Sequence, residues 1–146
     1  MKFVIGNDHG GIDLVDAVKE ELEALGHDVM WVGTKDKEST DYPDWAKLAC
    51  EKVIDKEADY AILICGTGVG MSISANKIKG IRAACCSEPY SARMGRQHNN
   101  ANCLCIGARV IGNELCKMIV REFANSDFQG GRHQRRVDKI KKLEEN

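Results

Sequence analysis

The sequence predicts an α/β protein in which a five-stranded parallel sheet carries helices on both faces. Three observations carry that prediction. Short, continuously apolar runs recur along the chain, and such runs read as strands buried on both sides. Between them lie segments with apolar residues at helical spacing, so strands and helices alternate as repeated β-α units with right-handed crossovers. The third is Ile62-Leu63-Ile64-Cys65-Gly66-Thr67-Gly68-Val69-Gly70. Here an apolar run opens through a cysteine into three glycines, as a parallel strand does when it feeds a helix at its carboxyl end.

The elements follow in order. Residues 2–5 form the first strand, ahead of the polar turn Gly6-Asn7-Asp8-His9-Gly10-Gly11. Leu14, Val18, Leu22 and Leu25 recur at helical spacing, and Gly26 ends that helix. After the strand at 28–32 comes a long polar loop from Gly33 to Pro43 that passes Thr40, Asp41 and Tyr42; loops of that length are often functional. Trp45, Leu48, Ala49 and Val53 mark the next helix, which leads to the strand at 61–64. A further helix opens around Gly70. Strands at 81–85 and 103–106 flank a short helical piece at 90–96. Leu115, Met118, Ile119 and Phe123 form another amphipathic stripe, and a last helix at 132–144 sets Val137, Ile140 and Leu143 on its apolar side. No linker, repeat or low-complexity stretch interrupts the sequence, so residues 1–146 read as one domain.

Composition bounds the function. A chain of 146 residues builds one proper core. A net charge of −1 offers no global field to recruit nucleic acid or anionic lipid. No apolar run approaches the roughly 20 residues that span a bilayer, and the N-terminus enters a strand without signal-peptide architecture. A soluble, cytoplasmic protein is expected. The seven cysteines are odd in number and include no C-x-x-C pair. Cys103-Leu104-Cys105 lacks a histidine or second pair at ligand spacing, so no metal is expected. Cys50, Cys85, Cys86, Cys103, Cys105 and Cys116 read as core thiols in a reducing compartment. Cys65 is set apart by its position.

In a parallel sheet every strand-to-helix loop opens on one edge. That edge collects Asp8 and His9, the loop through Tyr42, Cys65-Gly66-Thr67, Ser87-Glu88-Pro89-Tyr90 and Gly107-Ala108-Arg109. Together a carboxylate, a histidine, a thiol, hydroxyls and a guanidinium make a small-molecule site. Glycine at 66, 68 and 70 lets backbone N–H groups approach an anion or a developing oxyanion. The G-x-G-x-G run is not the dinucleotide fingerprint, and no G-x-x-x-x-G-K loop exists. Two further polar clusters remain to be placed. One is Arg96-Gln97-His98-Asn99-Asn100, in which His98 is either a structural histidine or a group titrating near neutrality. The other is Gly130-Gly131-Arg132-His133-Gln134-Arg135-Arg136. Arg132 and Arg136 share a helix face there, either as an anion clamp or as part of a solvated basic helix.

Taken in order, Asn7-Asp8-His9-Gly10-Gly11, Thr40-Asp41-Tyr42-Pro43, Cys65-Gly66-Thr67-Gly68-Val69-Gly70, Ser87-Glu88-Pro89-Tyr90, Gln97-His98-Asn99, Gly107-Ala108-Arg109-Val110 and Gly130-Gly131-Arg132-His133 carry a resemblance over essentially the whole chain. The sequence resembles ribose-5-phosphate isomerases of type B. That resemblance implies a flavodoxin-like (Rossmann-like) three-layer α/β/α fold. It also implies a homodimer or dimer of dimers with active sites between subunits, no metal or organic cofactor, and a sugar phosphate as substrate. The implied reaction interconverts ribose 5-phosphate and ribulose 5-phosphate through an enediolate. In it Cys65 is the base, His98 opens the furanose ring, and Thr67 assists with the glycine loop. By the same resemblance Asp8, His9, Asn99 and Arg109 contact substrate, and Arg132 and Arg136, with Arg135 beside them, hold the phosphate; Tyr42 and the loop backbone at Gly66, Gly68, Val69 and Gly70 are expected to line the same site.

The chemistry agrees with those roles. Removing a proton beside a carbonyl needs a base and a cradle for the growing charge, and each backbone donor in such a cradle is often worth about 3 kcal/mol. One branch of the family replaces the cysteine by a glutamate base. This chain has Cys65 and no acidic residue from Gly66 through Ser74, which places it on the cysteine branch. Gly10 stands where alanine or valine is common. The rival readings are an isomerase of a six-carbon sugar phosphate, with the loop through Thr40 and Tyr42 setting pocket length, and a phosphosugar-binding regulator that would need neither Cys65 nor His98. His98, Asn99, Arg132 and Arg136 together argue for a complete active site in one kind of chain, and the resemblance implies the five-carbon substrate.

Overall fold

Continuous apolar runs become strands sealed on both faces. In a computed structural model of the chain, which describes residues 1–145, five strands form one parallel sheet. They are β1 (Lys2–Asn7), β2 (Asp28–Trp31), β3 (Tyr60–Cys65), β4 (Ala83–Cys85) and β5 (Cys103–Gly107). The sheet order is β2-β1-β3-β5-β4. Central strands β1, β3 and β5 are buried almost throughout, whereas the edge strands β2 and β4 are only partly covered.

Strand alternation divides the core into two layers. Phe3, Ile5, Ile62, Ile64, Leu104 and Ile106 face Val18 and Leu22 of α1 (Val15–Ala24), Ala92 of α4 (Pro89–Asn99), and Ile119 and Phe123 of α5 (Asn113–Ala124). Val4, Ala61, Leu63, Cys103 and Cys105 face Ala49 and Cys50 of α2 (Tyr42–Ile54) and Met71 of α3 (Val69–Ala75). Cys65 lies on this second side. A last helix, α6 (Arg132–Leu143), packs against α4. No helix among the described residues is long and apolar enough to cross a membrane.

The three-layer α/β/α architecture and the five-stranded parallel sheet are those expected. The order of the last two strands differs from the flavodoxin arrangement, 2-1-3-4-5. From β3 the chain steps past one strand position to lay β4 at the edge, then returns to insert β5 beside β3. The outward step uses α3 and the return uses α4 on the opposite face, as constant crossover handedness requires.

Three boundaries move for local reasons. The first helix opens as a 3-10 turn, His9–Leu14, whose cap is Asp8: its carboxylate accepts from the Gly11 N–H at 3.1 Å. Helix α2 starts at Tyr42, inside the expected loop, because a proline in the first turn forfeits no intrahelical bond. Helix α4 runs to Asn99 and not merely over 90–96. Glu88 caps it by accepting from the Ser91 N–H at 3.0 and 3.1 Å. All seven cysteines are free, and Cys85 is exposed at the sheet edge, not in the core as expected.

Candidate active site

Strands β1, β3 and β5 are neighbours and end together, with Asn7 opposite Ile64 and Cys65 opposite Gly107. The loops that follow are therefore tied to one another. Asp8 donates its N–H to Ile64 O at 3.2 Å, Ala108 to Cys65 O at 2.9 Å and Arg109 to Gly66 O at 3.0 Å. The Arg109 guanidinium lies across the glycine loop, so a Cβ at Gly66 would stand 3.0 Å from its Nη1. His9 accepts from the Thr40 N–H on Nδ1 at 3.1 Å, and Trp45 Nε1 donates to Thr40 Oγ1 at 2.9 Å. A neutral His9 thus carries its hydrogen on Nε2. His9 and Arg109 line a cavity of about 250 Å³ with Gly10, Asp13, Lys37 and Ala108. Tyr42 lies against Gly70, where a Cβ would come within 2.6 Å of its ring. One oxygen of Asp8 is committed to its capping bond.

Cys65 ends β3 with 5% of its surface exposed. The loop doubles back at Gly68, whose φ of +81° only glycine adopts readily, and the Gly68 N–H donates to Cys65 Sγ at 3.1 Å. Val69 donates its N–H to Thr67 Oγ1 at 3.2 Å, which leaves the Thr67 hydroxyl hydrogen free to give. Two of the loop's backbone donors are thus already engaged, and Gly70 lies in the first turn of α3, where N–H groups lack intrahelical partners. The other thiols sit in surroundings that oppose ionisation. Burial pushes Cys86 up to about 11 and Cys116 up to about 12, and raises Cys85 and Cys105 as well. Hydrogen bonds among Cys50, Cys103 and Cys105 raise Cys50 and Cys103.

The second group lies elsewhere in the same chain. Helix α4 runs antiparallel to the strands, and its 11 residues carry the chain roughly 16 Å back to the amino edge of the sheet. There Arg82, just ahead of β4, donates from Nε to Asn100 O at 2.8 Å. Helix α6 starts beside this end of α4, because Gln129 donates its N–H to Gln97 O at 3.0 Å. His133 then stacks on His98, with ring centroids 4.2 Å apart and planes within 9°. Burial, His98 and the adjacent Arg132 and Arg136 hold His133 below its ordinary pKa. Arg132, Arg136 and Asn99 are exposed, and Asn99 lines a cavity of about 690 Å³ beneath α6.

Asp8, His9, Tyr42, Cys65, Gly66, Thr67, Gly68, Val69, Gly70 and Arg109 therefore share the carboxyl edge, whereas His98, Asn99, Arg132 and Arg136 share the amino edge. Sequence reasoning passed over His133 as a site residue. Its spacing from Val137, one turn on along a basic helix, is the signal that it turns inward.

Among the described residues no three His, Cys, Asp or Glu side chains are grouped to hold a metal ion. A thiol held under a backbone N–H, beside a guanidinium and an imidazole at the carboxyl edge of a parallel sheet, defines an α/β protein for a small anionic molecule. More particularly, the model of the family described as Ribose/Galactose Isomerase matches residues 3–140, and the chain belongs to that family. It is similar to ribose-5-phosphate isomerase B of Escherichia coli, with 49% identity over 144 residues, covering 99% of this chain and 97% of the relative. A solved structure of ribose-5-phosphate isomerase B from Clostridium thermocellum superposes with a TM-score of 0.96 at 48% identity, covering 99% of this chain and 98% of the other. The enzyme of that name from Mycoplasma genitalium, solved with bound ribulose 5-phosphate, matches with a TM-score of 0.93 at 40% identity, covering 99% and 97%.

Proposed function

We propose that this protein is an aldose–ketose isomerase that interconverts D-ribose 5-phosphate and D-ribulose 5-phosphate. The observation that carries the reading is the Cys65 loop. It offers a base, a hydroxyl and backbone donors within one turn of chain, next to Arg109 and His9. Cys65 takes the proton from C2 and returns it to C1, while the Thr67 hydroxyl and the loop N–H groups not already engaged, Gly70 among them, stabilise the enediolate oxygen. Asp8, Asn99, Tyr42 and the backbone from Gly66 to Gly70 hold the sugar. The reaction moves one proton from C2 to C1 and one from O2 to O1 with no net redox change, so the reading assigns no metal or cofactor.

The proposal is a homodimer whose site spans two subunits. His98 opens the furanose ring, and one chain separates it from Cys65 by the length of α4. Cys65 of one protomer therefore works with His98, Asn99, Arg132 and Arg136 of its partner. Val69, Ile73 and Val110 support this, since they surround the Cys65 loop at 51%, 59% and 56% exposure. A second copy would cover that apolar rim. Residues 1–146 act as one domain, with α6 carrying the phosphate-binding arginines. Its free thiols suit the reducing cytoplasm.

The test is NMR of ribose 5-phosphate incubated with the protein in D2O. Ribulose 5-phosphate should form with deuterium entering from solvent. Turnover of a six-carbon phosphate in its place would move the assignment to the longer sugar, and binding without exchange would make the protein a regulator. For the phosphate ligands, Arg136→Ala should weaken substrate binding by about 1.5–3 kcal/mol, the worth of one charge-assisted contact, with kcat much less affected. An unchanged KM would return α6 to the role of a solvated basic helix.

A further inference from the structure

Arg96 is a buried charged side chain that the site chemistry does not use. It lies on α4 two residues before His98 and is only 4% exposed. Its Nη1 donates to Ala101 O at 2.6 Å and to Asn100 Oδ1 at 3.1 Å, and its Nη2 donates to Tyr60 OH at 2.8 Å. The guanidinium sits over the Tyr60 ring at 4.5 Å and near the Phe123 ring at 5.8 Å. No carboxylate pairs with it among the described residues, and its buried Nε has no partner. A buried cation without a counter-charge is expensive. The carboxyl end of α4 offsets part of that cost through its dipole.

Local structure does not require it. The left-handed turn that ends α4 falls on Asn100, with φ of +48°, and glycine would make that turn without help. What Arg96 adds is rigidity at one place. Its bonds join residues 100 and 101 to Tyr60 at the start of β3, so the last turn of α4 is held from the core side. His133 holds His98 from the other side.

We infer that Arg96 is a positioning residue that locks the end of α4 so that His98 and Asn99 meet the sugar ring of the neighbouring subunit's substrate. The inference rests on the isomerase reading above. Misplacement of about 1 Å at a distance from the chemistry can cost roughly 100-fold in rate, which makes so costly an anchor worth retaining.

The two substrates separate this role from a merely structural one. Ribose 5-phosphate is a furanose and must be opened. Ribulose 5-phosphate cannot close to a furanose, because its C5 oxygen carries the phosphate. Ring opening is therefore needed for turnover of the aldose but not for exchange of the C1 proton of the ketose with D2O. Arg96→Met removes the anchor with similar volume. Asn100→Gly keeps the left-handed turn and removes only the side-chain link, so it carries the test if Arg96→Met does not fold. At saturating substrate, Arg96→Met should lose ribose 5-phosphate turnover by about 10- to 100-fold, Asn100→Gly, which keeps the Ala101 and Tyr60 bonds, should lose it by a smaller factor, and both should keep C1 exchange of ribulose 5-phosphate within about twofold of wild type. They should also lose any primary isotope effect at C2 of the aldose, since ring opening becomes limiting. Equal losses in both assays, or no loss in either, would overturn the inference. If wild type itself showed neither activity, the isomerase reading would fall, an outcome distinct from active wild type with variants that fail in parallel.

Discussion

Cys65→Ala should leave a folded protein that binds sugar phosphate and moves no proton. Cys65 contributes one sulfur to a core layer made mostly of small residues, so the truncation leaves a small void. It also leaves the Gly68 N–H without its acceptor, for a loss of about 1 kcal/mol. Both costs are well within the stability of a domain this size. The chemical cost is of another order, because a positioned base accounts for roughly 10²- to 10⁴-fold in rate. Cys65→Ser keeps an acceptor for Gly68 but offers a far weaker base at neutral pH, so it should be almost equally inactive. Cys85→Ser is the control: Cys85 is the exposed thiol at the strand edge, where partial desolvation still holds its pKa above the ordinary value, and its loss should leave exchange unchanged. Deuterium exchange reports the chemistry, and calorimetric titration with ribose 5-phosphate reports binding. Full exchange in Cys65→Ala would remove the thiol from the mechanism.

The same contrast between local and distant causes explains how much could be read in the chain. Strands β1, β3 and β5 were legible because burial on both faces leaves an uninterrupted apolar run. The Cys65 loop was legible because thiol, hydroxyl and glycines are contiguous, and contiguity survives any folding. The last turns of helix α4 are hidden in the sequence because Gly95, Arg96, Gln97 and His98 break the apolar stripe. Arg96 is nonetheless buried, by Tyr60 on a strand far away in sequence, and no local pattern announces that. Tyr42 reads as loop because it closes a long polar run with Pro43, whereas a proline in the first turn of a helix is permitted. Strand order is a matter of distant pairing. Nothing near Ala83 or Cys103 says which of β4 and β5 lies beside β3. The placement of His98 followed from that same topology, since it depends on the direction in which α4 crosses the sheet.

Two inactive proteins should make an active one. In a twofold dimer whose sites each take Cys65 from one chain and His98 from the other, a Cys65→Ala homodimer has no base and a His98→Ala homodimer has no ring-opening group. A dimer with one chain of each kind concentrates both defects in a single site, and its other site is intact. After random exchange of subunits half the dimers are mixed, each with one working site of two, so activity should return to about one quarter of wild type. Exchange can be driven by unfolding and refolding the mixture, with each variant taken through the same cycle alone as a control. The size of the recovery discriminates between architectures. If Cys65 and His98 met within one chain, every site in every dimer would carry a defect and mixing would restore nothing. If the catalytic unit were a single chain, dilution to the monomer would leave wild-type activity intact, whereas the shared site predicts that it disappears with the dimer. Helix α4 is the physical reason to expect recovery: it is capped at Glu88 and anchored at Arg96, and it fixes His98 at the edge of the sheet away from its own Cys65.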